Sequence, residues 1–217
     1  MAWIDLILPP ACAGCGSAGM LLCARCVAAC RPASDPVGRF VAADPGVVIG
    51  EELTLALASH AHAGPMRKAL ARLKYEGAQR LARPLAAAAL PTMRTLLAIS
   101  GPAVIVPVPV HRERRRERGY NQAELIATAL GSALGLPSSD LLERVRPTTK
   151  QHRLDRAARL ANLREAFALR QGVRSVPSPV IVVDDIVTTT ATLEACASIL
   201  RAAGVKDVYG FALAREV

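Results

Sequence analysis

The chain has 217 residues, 52% of them hydrophobic, and a formal charge of +9 from 27 Lys+Arg against 18 Asp+Glu. That length supports one substantial core with room for a small appendage, and a mean hydropathy of +0.28 excludes an intrinsically disordered chain. No apolar run approaches the roughly 20 residues of a membrane-spanning helix, and an aromatic content of 3% argues against an extended base-stacking surface.

The positive excess is nearly all arginine, since the lysines are only Lys68, Lys74, Lys150 and Lys206. Such a balance suits a polyphosphate substrate, nucleic acid or an acidic partner, or it is simply a solvated surface. Residues 1–13 resemble a secretory signal superficially, but they lack a basic start and Asp5 interrupts their apolar run. The cytoplasm is therefore the expected compartment.

Cys12-Ala-Gly-Cys15 and Cys23-Ala-Arg-Cys26 form two Cys-x-x-Cys turns, each able to bring two thiolates to one ion. Four thiolates complete a tetrahedral structural Zn²⁺ and leave no open position for catalysis. Two disulfides or a redox pair are the alternatives, and a cytoplasmic chain disfavours the disulfides. A segment with so little core needs a staple, and zinc supplies about 10–16 kcal/mol in such small modules. Cys30 reads as a free thiol or a substitute ligand, and Cys196 as a core residue. The expected division is a four-cysteine zinc-binding module at 1–31, a linker at 32–46 and a main domain at 47–217. Pro32, Pro36, Gly38, Pro45 and Gly46 punctuate the linker.

Residues 47–60 hold strand-like apolar segments, with His60 and His62 on one face as an exposed pair. Residues 64–75 read as a helix with Met66, Leu70 and Leu73 on one side, broken at Gly77. A second helix is expected over 81–97, with Pro84 and Pro91 marking its start and end. Residues 104–110 form a buried strand that closes in prolines. Residues 111–119 then carry Arg112, Arg114, Arg115, Arg116 and Arg118, before 120–124 open another helix. Arginines directly after a strand end suit a diphosphate or a nucleic-acid backbone, although a solvated loop has the same composition.

The most informative stretch is 179–193. Residues 180–183 are apolar and β-branched, as in a strand buried on both faces of a parallel sheet. Asp184 and Asp185 follow, then Thr188-Thr189-Thr190-Ala191-Thr192, which opens into a helical pattern. A helix start offers backbone N–H groups and partial positive charge to a phosphate, and the threonine hydroxyls add donors. The paired carboxylates accept from sugar hydroxyls or hold hydrated Mg²⁺. Together these groups describe a site for a 5-phosphorylated ribose, with a capped turn lacking any ligand as the plain alternative. After Gly204, residues 208–214 supply a closing strand.

Residues 181–192 resemble the phosphoribosyl-pyrophosphate (PRPP) signature of type I phosphoribosyltransferases. The resemblance implies that Asp184 and Asp185 take the ribose hydroxyls with Mg²⁺. It also implies that Thr188, Thr189, Thr190, Ala191 and Thr192 cradle the 5′-phosphate, and that Pro109, His111 and Arg112 lie near the diphosphate. That family usually has Gly where this chain has Thr190. Glycine allows positive φ and close approach to an anion, so a β-branched residue is expected to narrow the pocket.

A narrower resemblance is carried by the paired knuckles, Lys74-Tyr75-x-Gly77, His111-x6-Arg118-Gly119-Tyr120-Asn121-Gln122, Arg146-x-Thr148-x3-His152 and Arg159-x2-Asn162-x3-Ala166-Phe167. With the PRPP signature, these are similar to the ComF (competence protein F) family, to which GntX-type proteins also belong. The resemblance implies an α/β fold, a mostly parallel sheet flanked by helices, behind an N-terminal zinc-binding module. It implies PRPP binding, phosphoribosyl transfer, and a role in competence and DNA uptake or in nucleotide metabolism. The alternatives are a non-catalytic accessory that handles single-stranded DNA with a helicase partner, or a PRPP-sensing regulator. Residues 141–167 resemble the loop that closes over PRPP, or else contain an ordinary amphipathic helix at 155–166. Arg114, Arg115, Arg116, Arg118, Arg146, Lys150 and Arg153 are the candidate lid or nucleic-acid contacts. No residue of the sequence identifies a general base or the acceptor.

Overall fold

The computed structural model describes residues 9–33, 51–146 and 165–216. Its framework is set by the two valine-rich runs. They form β2 (Val104–Pro107) and β5 (Val180–Val187), paired in parallel with Val104 opposite Val180. On the other side of β5 lies β6 (Val208–Arg215), and beyond it β1 (Leu55–Ala61), giving an all-parallel order β1-β6-β5-β2. The segment expected to close the domain thus fills its interior, and Val208, Phe211, Ala212, Leu213 and Ala214 have no exposed surface.

Strand alternation divides the core into two layers. Ile181 and Val183 face α2 (Gly64–Tyr75), α3 (Ala82–Ser100) and α5 (Gln122–Leu134). Val180 and Val182 face α6 (Ala191–Ala202) on the opposite side, with Leu193, Cys196 and Leu200. A two-stranded antiparallel ribbon, β3 (Leu142–Arg144) with β4 (Phe167–Leu169), packs into that second layer. The candidate lid lies between these two strands. Lys150, Arg153, Arg156, Arg159 and the 155–166 helix fall outside the described residues, apart from residues 165–166. No helix among the described residues is long and apolar enough to cross a membrane.

Four expectations are revised. α3 runs straight through Pro91, because Ala89, Met93 and Leu96 continue the buried stripe and packing outweighs the lost N–H. β5 does not stop at residue 183. It continues through both aspartates, with Asp184 opposite Ala212 and Ile186 opposite Ala214. The arginine run is a helix, α4 (Arg112–Arg118), with Glu113 in its first turn, Arg115, Arg116 and Arg118 in its last, and Gly119 at φ +81 terminating it. His60 and His62 are not exposed. Residues 31–33 lie along β1, where Pro32 bridges His60 and Ala61 N–H donates to Arg31 O, so His60 is half-buried and its pKa is lowered by burial.

Candidate functional site

The first Cys-x-x-Cys turn is closed by Gly16 N–H donating to Cys12 O (2.8 Å), and the second is tied to it by Cys23 N–H donating to Cys12 Sγ (3.3 Å). The second turn leads into α1 (Ala24–Ala28). The sulfurs of Cys12, Cys15, Cys23 and Cys26 all lie within 4.8 Å of one another, and Cys15 and Cys23 are 3.7 Å apart. Ligands about 2.3 Å from a tetrahedral ion stand about 3.8 Å apart, so the four thiols fit a structural metal. A disulfide would require about 2.05 Å. Hydrogen bonding with Ser17 draws Cys15 down to about 5, whereas burial pushes Cys26 up to about 12. Gly14 is required by close approach, because a Cβ there would stand 2.6 Å from Cys26 Sγ. Cys30 is a thiol outside the tetrad, donating to Cys26 O at 3.2 Å.

At the carboxyl end of β5 each aspartate caps the next amide. Asp185 N–H donates to Asp184 Oδ1 (2.8 Å), and Ile186 N–H to Asp185 Oδ1 (2.9 Å). Adjacent on a strand, they start from opposite faces of the sheet, yet the two carboxyls stay close enough to interact directly. Asp185 turns toward α2, where Lys74 Nζ is 3.6 Å from its Oδ2, and that oxygen is buried without a hydrogen-bond partner. Asp184 turns toward the α6 side, in the electrostatic reach of Arg144 and Cys196. Burial, and then the charge of Asp185, hold the Asp184 carboxyl well above the usual carboxylate range. Burial and Asp184 likewise raise the Cys196 thiol. A buried oxygen lacking a donor, beside a carboxyl that resists ionisation, leaves room for a cation or a hydroxyl donor.

Thr188 and Thr189 are exposed in the bend that follows, and Thr190 precedes the first turn of α6 without a side-chain cap. Thr190 has φ −72°, an ordinary right-handed conformation, so a β-branched residue fits without backbone strain. Ala191 and Thr192 begin the helix, whose first amides are the orphan donors of any helix start.

β2 ends beside β5, with Val108 N–H donating to Val183 O (2.8 Å). The candidate diphosphate residues therefore share an edge with the aspartates. Pro109 is buried, His111 is half-buried with Nδ1 3.5 Å from Glu113, and Arg112 is exposed. Asn121 fastens this connection by donating to Val108 O (2.9 Å) and accepting from Ala123 N–H (3.1 Å). Along α4, Arg115 pairs with Glu124 (2.9 Å), Arg118 stacks 5.4 Å from the centre of the Tyr75 ring, and Arg114 and Arg116 are exposed. Arg146 pairs with Glu165 (2.6 Å), while Lys150 and Arg153 lie outside the described residues. The sequence reading missed Lys74 and Arg144 as the cations facing the aspartates. Lys74 was marked only by the scarcity of lysine and by its place in the Lys74-Tyr75-x-Gly77 segment, neither of which points to the aspartates.

No protein-family model matches the chain. It is 32% identical over 161 residues to DNA utilization protein YhgH of Escherichia coli K12, covering 72% of this chain and 70% of that protein. It is 37% identical over 116 residues to Competence protein F of Haemophilus influenzae, covering 52% of this chain. It is also 36% identical over 110 residues to Competence protein ComFC of Streptococcus pneumoniae, covering 51% of this chain. The matches span about half the length of those two competence proteins, 51% and 47%. Among solved structures it aligns with glutamine phosphoribosylpyrophosphate amidotransferase from B. subtilis over 63% of this chain and 26% of that one (19% identity, TM-score 0.39). It aligns with adenine phosphoribosyltransferase from Leishmania tarentolae over 74% and 76% (17% identity, TM-score 0.39), and both overlaps are too slight to bear on the site. The identity with the Escherichia coli protein, shared with the competence proteins, makes the chain a member of the competence protein F (ComF) family.

Proposed function

We propose that the chain binds PRPP with Mg²⁺ where β5 and β2 end, and that its cysteine cluster holds a structural Zn²⁺. The observation that carries this reading is the aspartate pair. It combines a buried oxygen without a donor and a carboxyl raised by burial, at a strand end that leads through threonines into a helix. Asp184 and Asp185 would hold the ribose hydroxyls and the hydrated cation, residues 188–192 the 5′-phosphate, and His111 and Arg112 the diphosphate. Bound Mg²⁺ supplies positive charge to a departing diphosphate. The exposed arginines at the edge of the site add preorganised charge to the same end. We read residues 1–31 as the metal module and 47–217 as the ligand-binding domain, acting in the cytoplasm in DNA uptake or nucleotide metabolism, as the names of the relatives suggest.

A second reading is supported by α4, whose exposed arginines suit a single-stranded DNA backbone in a non-catalytic accessory. Calorimetric titration of Mg²⁺·PRPP against the wild type and an Asp184→Asn/Asp185→Asn variant separates the two. The expected result is saturable binding that the variant weakens by at least about 100-fold. Equal binding by both proteins, or none by the wild type, would sink the PRPP pocket. Release of diphosphate on adding a nitrogen nucleophile would establish transfer.

A further inference from the structure

Lys74 stands between two parts of the molecule that the proposed function leaves unconnected, the cysteine cluster and the aspartate pair. It occupies the last turn of α2 and reaches Asp185 with its side chain 25% exposed against 12% for the carboxylate. An exposed ion pair contributes little, but this one is largely withdrawn from water. Asp185 Oδ1 is committed to the Ile186 amide, so the direction of Oδ2 depends on the ammonium 3.6 Å away. Of the other groups around the pair, Arg144 from β3 and Cys196 from α6 act on Asp184, which also feels the charge of Lys74.

The helix that presents Lys74 is gripped at both ends. At its start, a Cβ on Gly14 would stand 3.0 Å from Pro65 Cβ, and Lys68 Nζ donates to Gly14 O (3.3 Å). Farther along, Arg72 donates to Ala11 O (3.5 Å), and Met66, Leu70 and Leu73 share one core with Cys12, Ala13, Leu22 and Cys26. At its end, the Tyr120 hydroxyl donates to the carbonyl of Leu73, the residue before Lys74. The cysteine module and the β2–α5 connection thus hold α2 at both ends, in addition to its packing in one core with Ile181 and Val183 of β5.

We propose that Lys74 is a positioning residue of the ligand site: α2, clamped by the cysteine module and by Tyr120, holds the Lys74 ammonium against Asp185 and so orients that carboxylate toward the bound phosphoribosyl ligand. The inference rests on the PRPP reading above. It gives the cysteine module a task beyond stapling its own segment, because the module sets the position of the helix that carries the counter-ion.

The test uses the zinc-loaded full chain and calorimetric titration with Mg²⁺·PRPP, with zinc content and far-UV circular dichroism measured for every variant. Lys74→Met keeps the aliphatic stem and is expected to weaken binding about 10–100-fold, the usual loss when a group orienting a ligand-holding residue is removed. Lys74→Arg is expected to recover most of that loss. Tyr120→Phe, which removes only the hydroxyl, should weaken binding several-fold in the wild-type background and have little further effect beside Lys74→Met. Wild-type-like titration of Lys74→Met, or an equal Tyr120→Phe penalty in both backgrounds, overturns the proposal. Failure of the wild type itself to bind is a separate result, which removes the pocket reading and this inference with it. Should Lys74→Met fail to load zinc, Lys74→Gln is measured against the same criteria.

Discussion

Asp184 is the residue at which stability and ligand binding pull in opposite directions. Its pKa in the folded chain lies well above the ordinary 3.8, first through burial and then through Asp185. Between those two values the folded state binds more protons than the unfolded state, so stability falls as pH rises through that window. At neutral pH the group is a net cost to folding, because the unfolded aspartate ionises freely and the folded one does not. Asp184→Asn is therefore expected to raise stability by on the order of 1 kcal/mol at pH 7 in urea denaturation. The gain should shrink toward pH 4, where the wild-type carboxyl is protonated. A variant less stable than wild type at pH 7 would mean that Arg144 already compensates the charge. The identity of this residue, and of the threonines after it, could be read directly from the sequence. The environment of the pair could not, because Lys74 and Arg144 come from residues far along the chain. At Thr190 the φ of −72° shows that glycine's positive-φ conformations are not used, which the sequence could not reveal.

Elements were legible where a pattern had one physical cause. The buried strands β2 and β5 followed from uninterrupted β-branched residues, and α2 followed from its apolar stripe. They were less legible where local and tertiary preferences conflict, as at Pro91, where local chemistry favours a break and the buried stripe continues the helix. The arginine run is a similar case. Mutual repulsion favours a solvated loop, but Glu113, Glu117 and the Gly119 cap permit a short helix that displays Arg114 and Arg116 to solvent. If α4 binds single-stranded DNA, Arg114→Ala/Arg116→Ala should lower affinity for an unstructured oligonucleotide. The slope of log K against log salt should then fall by about 0.7 for each phosphate that is no longer neutralised. Fluorescence anisotropy at several salt concentrations measures this. An unchanged slope would remove α4 from any DNA interface and leave its arginines to the diphosphate edge of the pocket.

At the scale of the whole molecule, composition and motif spacing indicated a parallel sheet and a metal module, but not how the two meet. The order β1-β6-β5-β2 depends on non-local packing: the last strand enters between the first and the fifth, and no local pattern encodes that position. Nor does spacing reveal that Cys12, Cys26 and Cys30 belong to the same apolar cluster as Met66, Leu85 and Ile126. That continuity has a measurable consequence. Were the module an independent bead, removing its ion would unfold residues 9–33 and leave the sheet untouched. With a shared core, the loss should spread into α2 and reach the main unfolding transition. The purified chain is expected to hold one zinc, and its removal by a chelator under reducing conditions should lower Tm by about 10 °C or more. Hydrogen exchange should quicken across α2 before it does so across β6, an interior strand paired on both sides. A metal-free chain with unchanged Tm and unchanged protection in α2 would mean that the helix stands without the cysteine cluster. Lys74 would then be positioned by Tyr120 and by the packing of α2 on the sheet, without the module.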